Sequence, residues 1–433
     1  MTPKKQLTLM NYAAILSIFL FSGAGSFMNA AVQTMMDAWP GLSATTIRLV
    51  TSLPSLLSLP ITVLIGGIAG RKLSYRFCSI FGTALIFLGG IAPFFFYSNW
   101  TLVLVFRAIV GIGVGFVAMR NSLIIKTVPE EKQAAIIGYG SALMNAGGML
   151  SGPIVGLLAG FGWRFPFLFD LLAVVPVLIM LFFLKEPEKE DFTDRNTAPK
   201  SNKSSTCNIA ADNTIAEDAS VPKTSAINTL SHSKNSIASA SNNWRVYYYV
   251  IMQFVTTMAL YPLLSGMSSY MASNEIGSPF IAGLTNSAYN LAGVLISLVL
   301  NQLVKSLKQY MIPVMCGIFA IGMGIIVFFQ NVPMIVFGAV LAGMTFNTMM
   351  SLFQLYNGKV ATPQTVTFFS TLLIAALSLG NFVSVYFINF CHAVFQRSSD
   401  IESTYFGSMI LYMIMGILAL VLKISPEYLA KEN

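Results

Sequence analysis

Long apolar runs separated by short polar segments make up most of this chain. A membrane-spanning helix needs about 20 consecutive, mostly apolar residues, and twelve runs of this kind occur. We therefore predict twelve spans, six before and six after one long polar stretch: 11–36, 46–68, 75–97, 100–125, 133–161, 164–184, 246–270, 280–304, 311–329, 332–356, 364–390 and 403–423. The pattern indicates an all-α membrane protein with 12 transmembrane helices in two six-helix bundles.

The long polar stretch divides the chain into two halves. Residues 185–243 are rich in Ser, Asn, Thr, Ala and Lys and contain almost no aromatic residues. A segment of this composition cannot bury enough apolar surface to fold alone. We predict an N-terminal bundle over 1–184, a disordered linker over 185–243 and a C-terminal bundle over 244–433.

Composition supports the membrane assignment and narrows the function. Hydrophobic residues make up 55% of the chain and charged residues only 10%, against about 25% in soluble domains. The net charge of +8 lies mainly in short loops, so no nucleic-acid partner is expected. The 4 cysteines have no CxxC spacing and the 2 histidines lie in polar stretches, so we predict no metal site and no cofactor. No HExxH, GxSxG or P-loop pattern occurs, and we expect no enzyme activity.

Basic residues are unevenly divided between the two sides of the predicted spans. One side carries Arg48, Arg164 and Arg397. The other carries the linker's basic residues and Lys4, Lys5, Arg71, Lys72, Arg76, Lys126, Lys132, Lys305, Lys308, Lys359, Lys423 and Lys431. The positive-inside rule assigns this richer side to the cytoplasm. Both termini and the linker are therefore predicted to be cytoplasmic, in a multi-pass protein of the cytoplasmic (inner) membrane.

The two halves look like distant repeats of one another. Each half has a basic loop after its second span, and the fourth spans of the two halves can be aligned. Parallel halves around a site at the membrane midplane are a transporter architecture, in which one half rocks against the other. The alignment sets Arg107 against Gly338. It also sets Arg120 against Ser351, so the charge within the spans lies in the first half.

Arg107 lies inside the fourth apolar run, where a charge costs at least about 2.5–3.5 kcal/mol on insertion scales. It should therefore face protein or water and have a partner. Counting about 1.5 Å per residue along spans four and six puts Asp170 at a similar depth. We hypothesise that Asp170, or Asp37 at the outer end of span one, pairs with Arg107 or Arg48. Such a carboxylate could exchange its proton during transport, or the pair could be structural.

Span five carries a motif of small residues, Gly148-Met-Leu-Ser-Gly152-Pro153-Ile-Val-Gly156. It resembles the motif G-x-x-x-G-P-x-x-G-G of the major facilitator superfamily, most closely of its drug:proton antiporter branch, and departs from it at Leu157. Pro153 removes a backbone donor and the glycines thin the helix, which gives a bendable element that packs closely against its neighbours. An ordinary kink in a membrane helix is the alternative interpretation.

Two further segments resemble motifs of the same superfamily. Arg107-Ala-Ile-Val-Gly111-Ile-Gly113 is similar to the fourth-span motif R-x-x-Q-G-x-G. The loop Gly66-Gly67-Ile-Ala-Gly70-Arg71-Lys72 resembles G-x-L-A-D-R-x-G-R but is degenerate, because Gly70 stands where the acid is expected. The resemblance implies the major facilitator fold and transport by alternating access. The missing acid leaves open whether a charge latch joins the cytoplasmic ends of the two halves.

The resemblance also implies that the first and fourth spans of each half line the substrate cavity. Polar residues at helical spacing follow these spans and span eight: Asn29, Gln33, Gln253, Thr256, Thr257, Tyr261, Asn286, Asn290, Asn347 and Gln354. Polar side chains within a bilayer need partners, so these residues either line the cavity or hydrogen-bond between helices. Arg120, near the cytoplasmic end of span four, could bind an anionic substrate or extend to the membrane interface.

Two transport functions fit these features. The first is proton-coupled efflux of small amphipathic compounds, which the span-five motif and the Met- and Phe-containing apolar spans favour. The alternative is uptake or exchange of a small organic anion that binds Arg107 or Arg120. Either carrier acts on a small-molecule substrate in a lipid bilayer. We expect the proton to be the coupling ion and the protein to be a monomer.

Overall fold

The computed structural model describes residues 9–70, 73–186, 244–360 and 366–422. Its first half consists of helices joined by short turns: α1 (Leu9–Leu20), a first 3₁₀ stretch (Ala24–Ala31), α2 (Val32–Ala38), α3 (Ala44–Ile68), α4 (Tyr75–Phe95), α5 (Trp100–Val117), α6 (Arg120–Thr127), α7 (Glu130–Ala159), a second 3₁₀ stretch (Phe165–Ala173) and α8 (Val174–Phe183). Side-chain caps explain several of the helix starts. Ser43, Ser74 and Asn99 each accept a hydrogen bond from a backbone N–H in the first turn of the helix that follows.

The second half repeats this arrangement with fewer breaks. Its elements are α9 (Trp244–Ser273), α10 (Pro279–Leu307), a short 3₁₀ turn (Lys308–Tyr310), α11 (Met311–Phe328), α12 (Val332–Val360), α13 (Val366–Phe395) and α14 (Asp400–Val421). Each predicted apolar run therefore corresponds to one helix or to one interrupted helix. The predicted linker from residue 187 onward, and the loop residues Arg71 and Lys72, lie outside the described residues.

Most of these helices are suited to a bilayer. Among the described residues, 10 stretches are long and apolar enough to cross a membrane, and α1 with the segment Ala24–Ala38 would make up to 11. The predicted eighth span, α10, has 29 residues, which at about 1.5 Å per residue is roughly 43 Å, longer than the hydrocarbon core of a bilayer. The all-α membrane fold predicted from the apolar runs is confirmed.

The first span is broken rather than continuous. Its two segments, Leu9–Leu20 and Ala24–Ala38, meet at an angle of 49°. The residues after the break form a 3₁₀ helix, which has three residues per turn instead of 3.6. Asn29 lies in this stretch and Gln33 in α2, so the four-residue spacing does not place them on one regular α-helical face, as the sequence had suggested. The second 3₁₀ stretch forms the first part of span six and leads directly into α8, and Phe165–Phe183 counts as one membrane-spanning stretch.

Each half has its own hydrophobic core. One buried cluster is formed by residues between Ala14 and Leu184, and the other by residues between Tyr249 and Ala419. The halves meet along two helix pairs, α7 with α10 and α3 with α13, and the first 3₁₀ stretch packs on α9. These contacts extend to about the middle of the bundle from the end at which α3 begins and α7 ends. We call this end the closed end.

Glycines allow α7 and α10 to approach within backbone contact. A Cβ added to Gly152 would overlap the Gly283 carbonyl, and one added to Gly283 would overlap Gly152 in return. One turn along, a Cβ on Gly156 would overlap the backbone of Pro279 and Phe280. The span-five motif therefore forms the first-half side of the contact between α7 and α10, where side chains larger than hydrogen do not fit.

Candidate functional site

Arg107 on α5 is fully buried and bonds to three other spans. Its Nε donates to the Val50 carbonyl at 2.9 Å. That carbonyl lacks a helical donor because Pro54, four residues later in α3, has no N–H. The Nη2 atom of Arg107 donates to the carbonyls of Ala24 and Gly25, at 3.1 Å and 2.9 Å. Arg107 therefore stabilises α3 at its proline and the first span at its break.

Asp170 in the second 3₁₀ stretch is the remaining partner of Arg107. Arg107 Nη1 lies 3.5 Å from Asp170 Oδ2, and both side chains are 0% exposed. Gly90 on α4 makes room for the carboxylate, since an added Cβ there would overlap it. The second carboxylate oxygen, Oδ1, is buried without a hydrogen-bond partner. All of these residues belong to the first half, so the ion pair holds that half together internally.

Arg48 on α3 has its partner in the second half. Its Nη1 lies 2.8 Å from Oδ2 of Asp400, the first residue of α14. Asp37 instead accepts a hydrogen bond from Gln33 Nε2 at 2.7 Å. Of the pairings considered for the two buried arginines, the structure contains Arg107 with Asp170 and does not contain Arg48 with Asp37. Sequence reasoning missed Asp400 because it precedes the last apolar run, in a position typical of a loop residue.

Further polar contacts join α3 to α13 at the closed end. Asn389 Nδ2 donates to Thr45 Oγ1 at 2.8 Å, and Asn381 Nδ2 donates to Ser55 Oγ at 2.7 Å. The sequence prediction omitted both asparagines. Their spacing of eight residues, which puts both on one helical face, was the available signal. The closed end is therefore held by an ion pair and by hydrogen bonds between the halves.

Arg120 begins α6 and lies between the first span and α7. Its guanidinium carbon lies 5.0 Å from the centre of the Phe19 ring, and its Nη2 lies 3.7 Å from Met144 Sδ. Its Nε is buried and has no hydrogen-bond partner. Among the described residues, Arg48, Arg107 and Arg397 have carboxylate partners, whereas Arg120 has none. Arg120 is thus a largely buried cation without a counter-ion in the part of the chain described here.

Asn290 of the second half approaches the same face of α7 as Arg120. The Oδ1 atom of Asn290 would lie 3.4 Å from a Cβ added to Gly148, an ordinary van der Waals distance. Gly148 is one turn along α7 from Met144, the residue that Arg120 contacts, so the two lie on one helical face. A cation from one half and an amide from the other therefore flank a single face of α7.

Asn347 on α12 extends this polar surface within the second half. Its side chain packs against Gly293 of α10, where a Cβ would overlap it, and its Nδ2 donates to the Gly343 carbonyl at 2.9 Å. Gln354, seven residues further along α12, is half-buried. Asn290 and Asn347 both use an Nδ2 hydrogen within their own helix.

The other polar residues predicted for the cavity bond to neighbouring helices or within their own. Gln253 Nε2 donates to Thr257 Oγ1 at 3.1 Å, one turn along α9. Asn286 Nδ2 donates across to the Leu264 carbonyl at 3.2 Å. Asn29 is buried and its Oδ1 has no hydrogen-bond partner. Asn286 thus makes the hydrogen bond between helices that was the alternative to cavity lining, whereas the bond of Gln253 stays within α9.

Comparison with known proteins identifies the fold. The family model described as Major Facilitator Superfamily matches residues 13–272. The chain belongs to the major facilitator superfamily. It is therefore a membrane transporter and not an enzyme, as the sequence predicted. Solved structures agree on the fold: a point mutant of the nucleoside transporter NupG superposes with a TM-score of 0.73 at 11% identity, covering 96% of this chain and 99% of that one.

Two more relatives are informative. The structure of a D-xylose-proton symporter superposes on this chain with a TM-score of 0.69 at 14% identity, covering 94% of this chain and 96% of the symporter. In sequence, the chain is 30% identical over 156 residues to a hexuronate transporter of Bacillus subtilis (strain 168). That match covers 34% of this chain and 36% of the relative, so the chain spans about a third of that transporter's length.

Proposed function

We propose that this chain is an uptake or exchange carrier for a small organic anion, whose carboxylate binds Arg120. The observation that carries the proposal is a largely buried guanidinium without a carboxylate partner among the described residues. Removing a cation from water is costly unless an anion and hydrogen bonds compensate for it. An anionic substrate would supply both the negative charge and the hydrogen-bond acceptors. It would take that charge away again when it leaves the open site.

The surroundings of Arg120 suit such a ligand. A guanidinium offers a planar fork of N–H donors that matches a carboxylate in bidentate geometry. Phe19 and Met144 contact the guanidinium without neutralising it. Asn290 and Asn347 present amides from the second half, which suit hydroxyl groups of the same substrate. A ligand held by both halves would couple its binding to their relative motion. The relative that resembles part of this chain is named for hexuronate, an acidic and hydroxylated substrate.

Sidedness follows from the charges in the loops. The closed end carries Arg48, Arg164 and Arg397, and the positive-inside rule puts this poorer side outside the cytoplasm. On this assignment the carrier would face inward, and Arg120 would lie toward the cytoplasmic side of the midplane. Both termini would then be cytoplasmic, in the cytoplasmic membrane. Coupling to protons stays a prediction, and the position of Asp170 inside the first-half core favours a structural role for this carboxylate.

Export of amphipathic compounds is the second candidate, and one observation favours it. An apolar crevice of about 70 Å³ lies between the first span, α7 and the second 3₁₀ stretch, lined by Leu20, Phe21, Phe27, Gly147, Leu150, Ile154, Phe169 and Leu172. The hydrocarbon part of an amphipathic compound that enters from the bilayer would fit this crevice, because its lining has no polar groups. The span-five motif does not decide the matter, because its glycines serve close packing between the halves.

Transport in vesicles that contain the purified protein distinguishes the two candidates. We expect counterflow of a radiolabelled hexuronate, inhibited by other small hydroxy-carboxylates and not by the uncharged hexose of the same skeleton. Vesicles loaded with an amphipathic cationic dye should retain it under an imposed pH gradient. Dye efflux without hexuronate counterflow would overturn the anion proposal in favour of export.

A further inference from the structure

A chain of polar side chains crosses between the two halves at the inner limit of the closed end. The Tyr261 side chain on α9 lies within hydrogen-bonding reach of the side chains of Ser26 and Asn381. Asn381 in turn donates to Ser55 Oγ at 2.7 Å. Ser26 and Ser55 belong to the first half, and Tyr261 and Asn381 to the second. We propose that these four residues form a latch that keeps the closed end shut, with Tyr261 as its central residue.

Arg107 positions both first-half members of the latch. Ser26 follows Gly25, whose carbonyl accepts a hydrogen bond from Arg107 at 2.9 Å. Ser55 follows Pro54, the residue that leaves the Val50 carbonyl free for Arg107. The two segments also touch, because a Cβ on Gly25 would lie 3.2 Å from Pro54 Cβ. Arg107 therefore fixes the spacing of Ser26 and Ser55, the two serines that the second half contacts.

The latch is the innermost of several barriers at this end. Ser55 lies eleven residues into α3, about 16 Å from its first residue at 1.5 Å per residue. Toward the outside follow the Arg48–Asp400 ion pair and the contact between Thr45 and Asn389. Opening this end to solvent as far as the midplane requires the Tyr261–Ser26 and Asn381–Ser55 contacts to break. The latch thus contributes to the balance between the two open states independently of the substrate.

Ser52 offers a place to measure that balance. It lies on the face of α3 that carries Arg48 and Ser55, four residues after the first and three before the second. It is 1% exposed, and its Oγ has no hydrogen-bond partner. Ser52→Cys therefore changes little in the closed state and puts a thiol between the Arg48–Asp400 ion pair and the latch, where solvent arrives only when the closed end opens. The four native cysteines are replaced by alanine, and a membrane-impermeant thiol reagent is added on the side that the closed end faces.

The test compares Tyr261→Phe with Tyr412→Phe in this background, without substrate. Tyr412 is a buried tyrosine whose hydroxyl donates to the Thr256 carbonyl at 3.0 Å, entirely within the second half. Loss of one net hydrogen bond should raise labelling of Cys at position 52 by about two- to tenfold in Tyr261→Phe. Tyr412→Phe should label at the parent rate. Ser26→Ala should also raise the labelling at position 52. It replaces Tyr261→Phe in the test if that variant does not accumulate in the membrane.

Two results would overturn the latch. One is labelling at the parent rate in both Tyr261→Phe and Ser26→Ala. The other is an equal rise in Tyr412→Phe, which would show general loosening of the second half. Neither result bears on anion binding by Arg120, because the measurement uses no substrate. A failure of the latch and a failure of the proposed function are therefore distinguishable.

Discussion

Arg107 Nε donates a 2.9 Å hydrogen bond to the Val50 carbonyl, an acceptor in α3 that Pro54 deprives of its helical donor. The same guanidinium bonds to the carbonyls at the break in the first span. An arginine that looks like a substrate ligand in the sequence thus bonds to the backbone of α3 at its proline and to that of the first span at its break. Its charge is balanced within the first half by Asp170. We therefore expect other residues to recognise the substrate.

Loss of Arg107 should destabilise the first half severely. Arg107→Leu leaves the Asp170 carboxylate buried without its counter-ion and the Val50 carbonyl without a hydrogen-bond donor. Breaking a buried pair in this way costs about 3–5 kcal/mol. The double variant Arg107→Leu/Asp170→Leu should be less destabilised than the single variant, since no charge then stays unpaired. Thermal unfolding in detergent measures both. A single variant as stable as the parent would show that these bonds contribute little.

Asp170→Asn separates a structural role from proton coupling. The carboxylate is 0% exposed, and its described contacts lie within the first half. We therefore expect the variant to unfold at a lower temperature but to keep any stimulation of uptake by a pH gradient. The measurement is substrate accumulation with and without the gradient, at matched protein levels. If the gradient no longer stimulates accumulation while downhill uptake stays normal, Asp170 is the coupling carboxylate after all.

The two glycines of the span-five motif should differ in their tolerance of a methyl group. At Gly152 an added Cβ would overlap the Gly283 carbonyl, whereas at Gly148 it would meet Asn290 at 3.4 Å. Overpacking of this kind costs about 1–3 kcal/mol. Gly152→Ala should therefore slow transport and favour separation of the halves at the closed end, and Gly148→Ala should not. Counterflow rates of the two variants check this. Equal rates would contradict the close contact of α7 with α10.

The ion pair between Arg48 and Asp400 should respond to charge reversal. Arg48→Asp sets two acids against each other across the interface, and Asp400→Arg does the same with two bases. Each single variant should favour the state in which this end is open to solvent. The double variant should restore part of the parent's preference for the closed state. Accessibility of Cys at position 52 provides the measurement. A double variant no closer to the parent than either single one would argue against a direct pair.

Much of the fold could be predicted from the sequence because the information is local. Apolar runs mark the helices, and counting residues along spans four and six matched the depths of Arg107 and Asp170. The break in span one could not be predicted, because the side chain that donates to its carbonyls, Arg107, comes from another helix. Arg48 and Asp400 are 352 positions apart, and nothing in either segment alone indicates that they meet. For the same reason Tyr261 was predicted to line the cavity, and its contacts with Ser26 and Asn381 were missed.

The role of Arg120 is tested most directly by changing it alone. Arg120→Gln should raise the apparent Kd for a labelled hexuronate at least about 30-fold, because truncating one partner of a desolvated charge pair costs about 2–5 kcal/mol. Arg120→Lys, which keeps the charge but loses the planar fork, should fall between. Arg164→Gln is the matched control, since Arg164 lies over the Tyr97 ring at 4.0 Å near the closed end. Loss of binding in Arg120→Gln with normal binding in Arg164→Gln is the predicted result. Unchanged binding in Arg120→Gln would contradict an anion site at this residue.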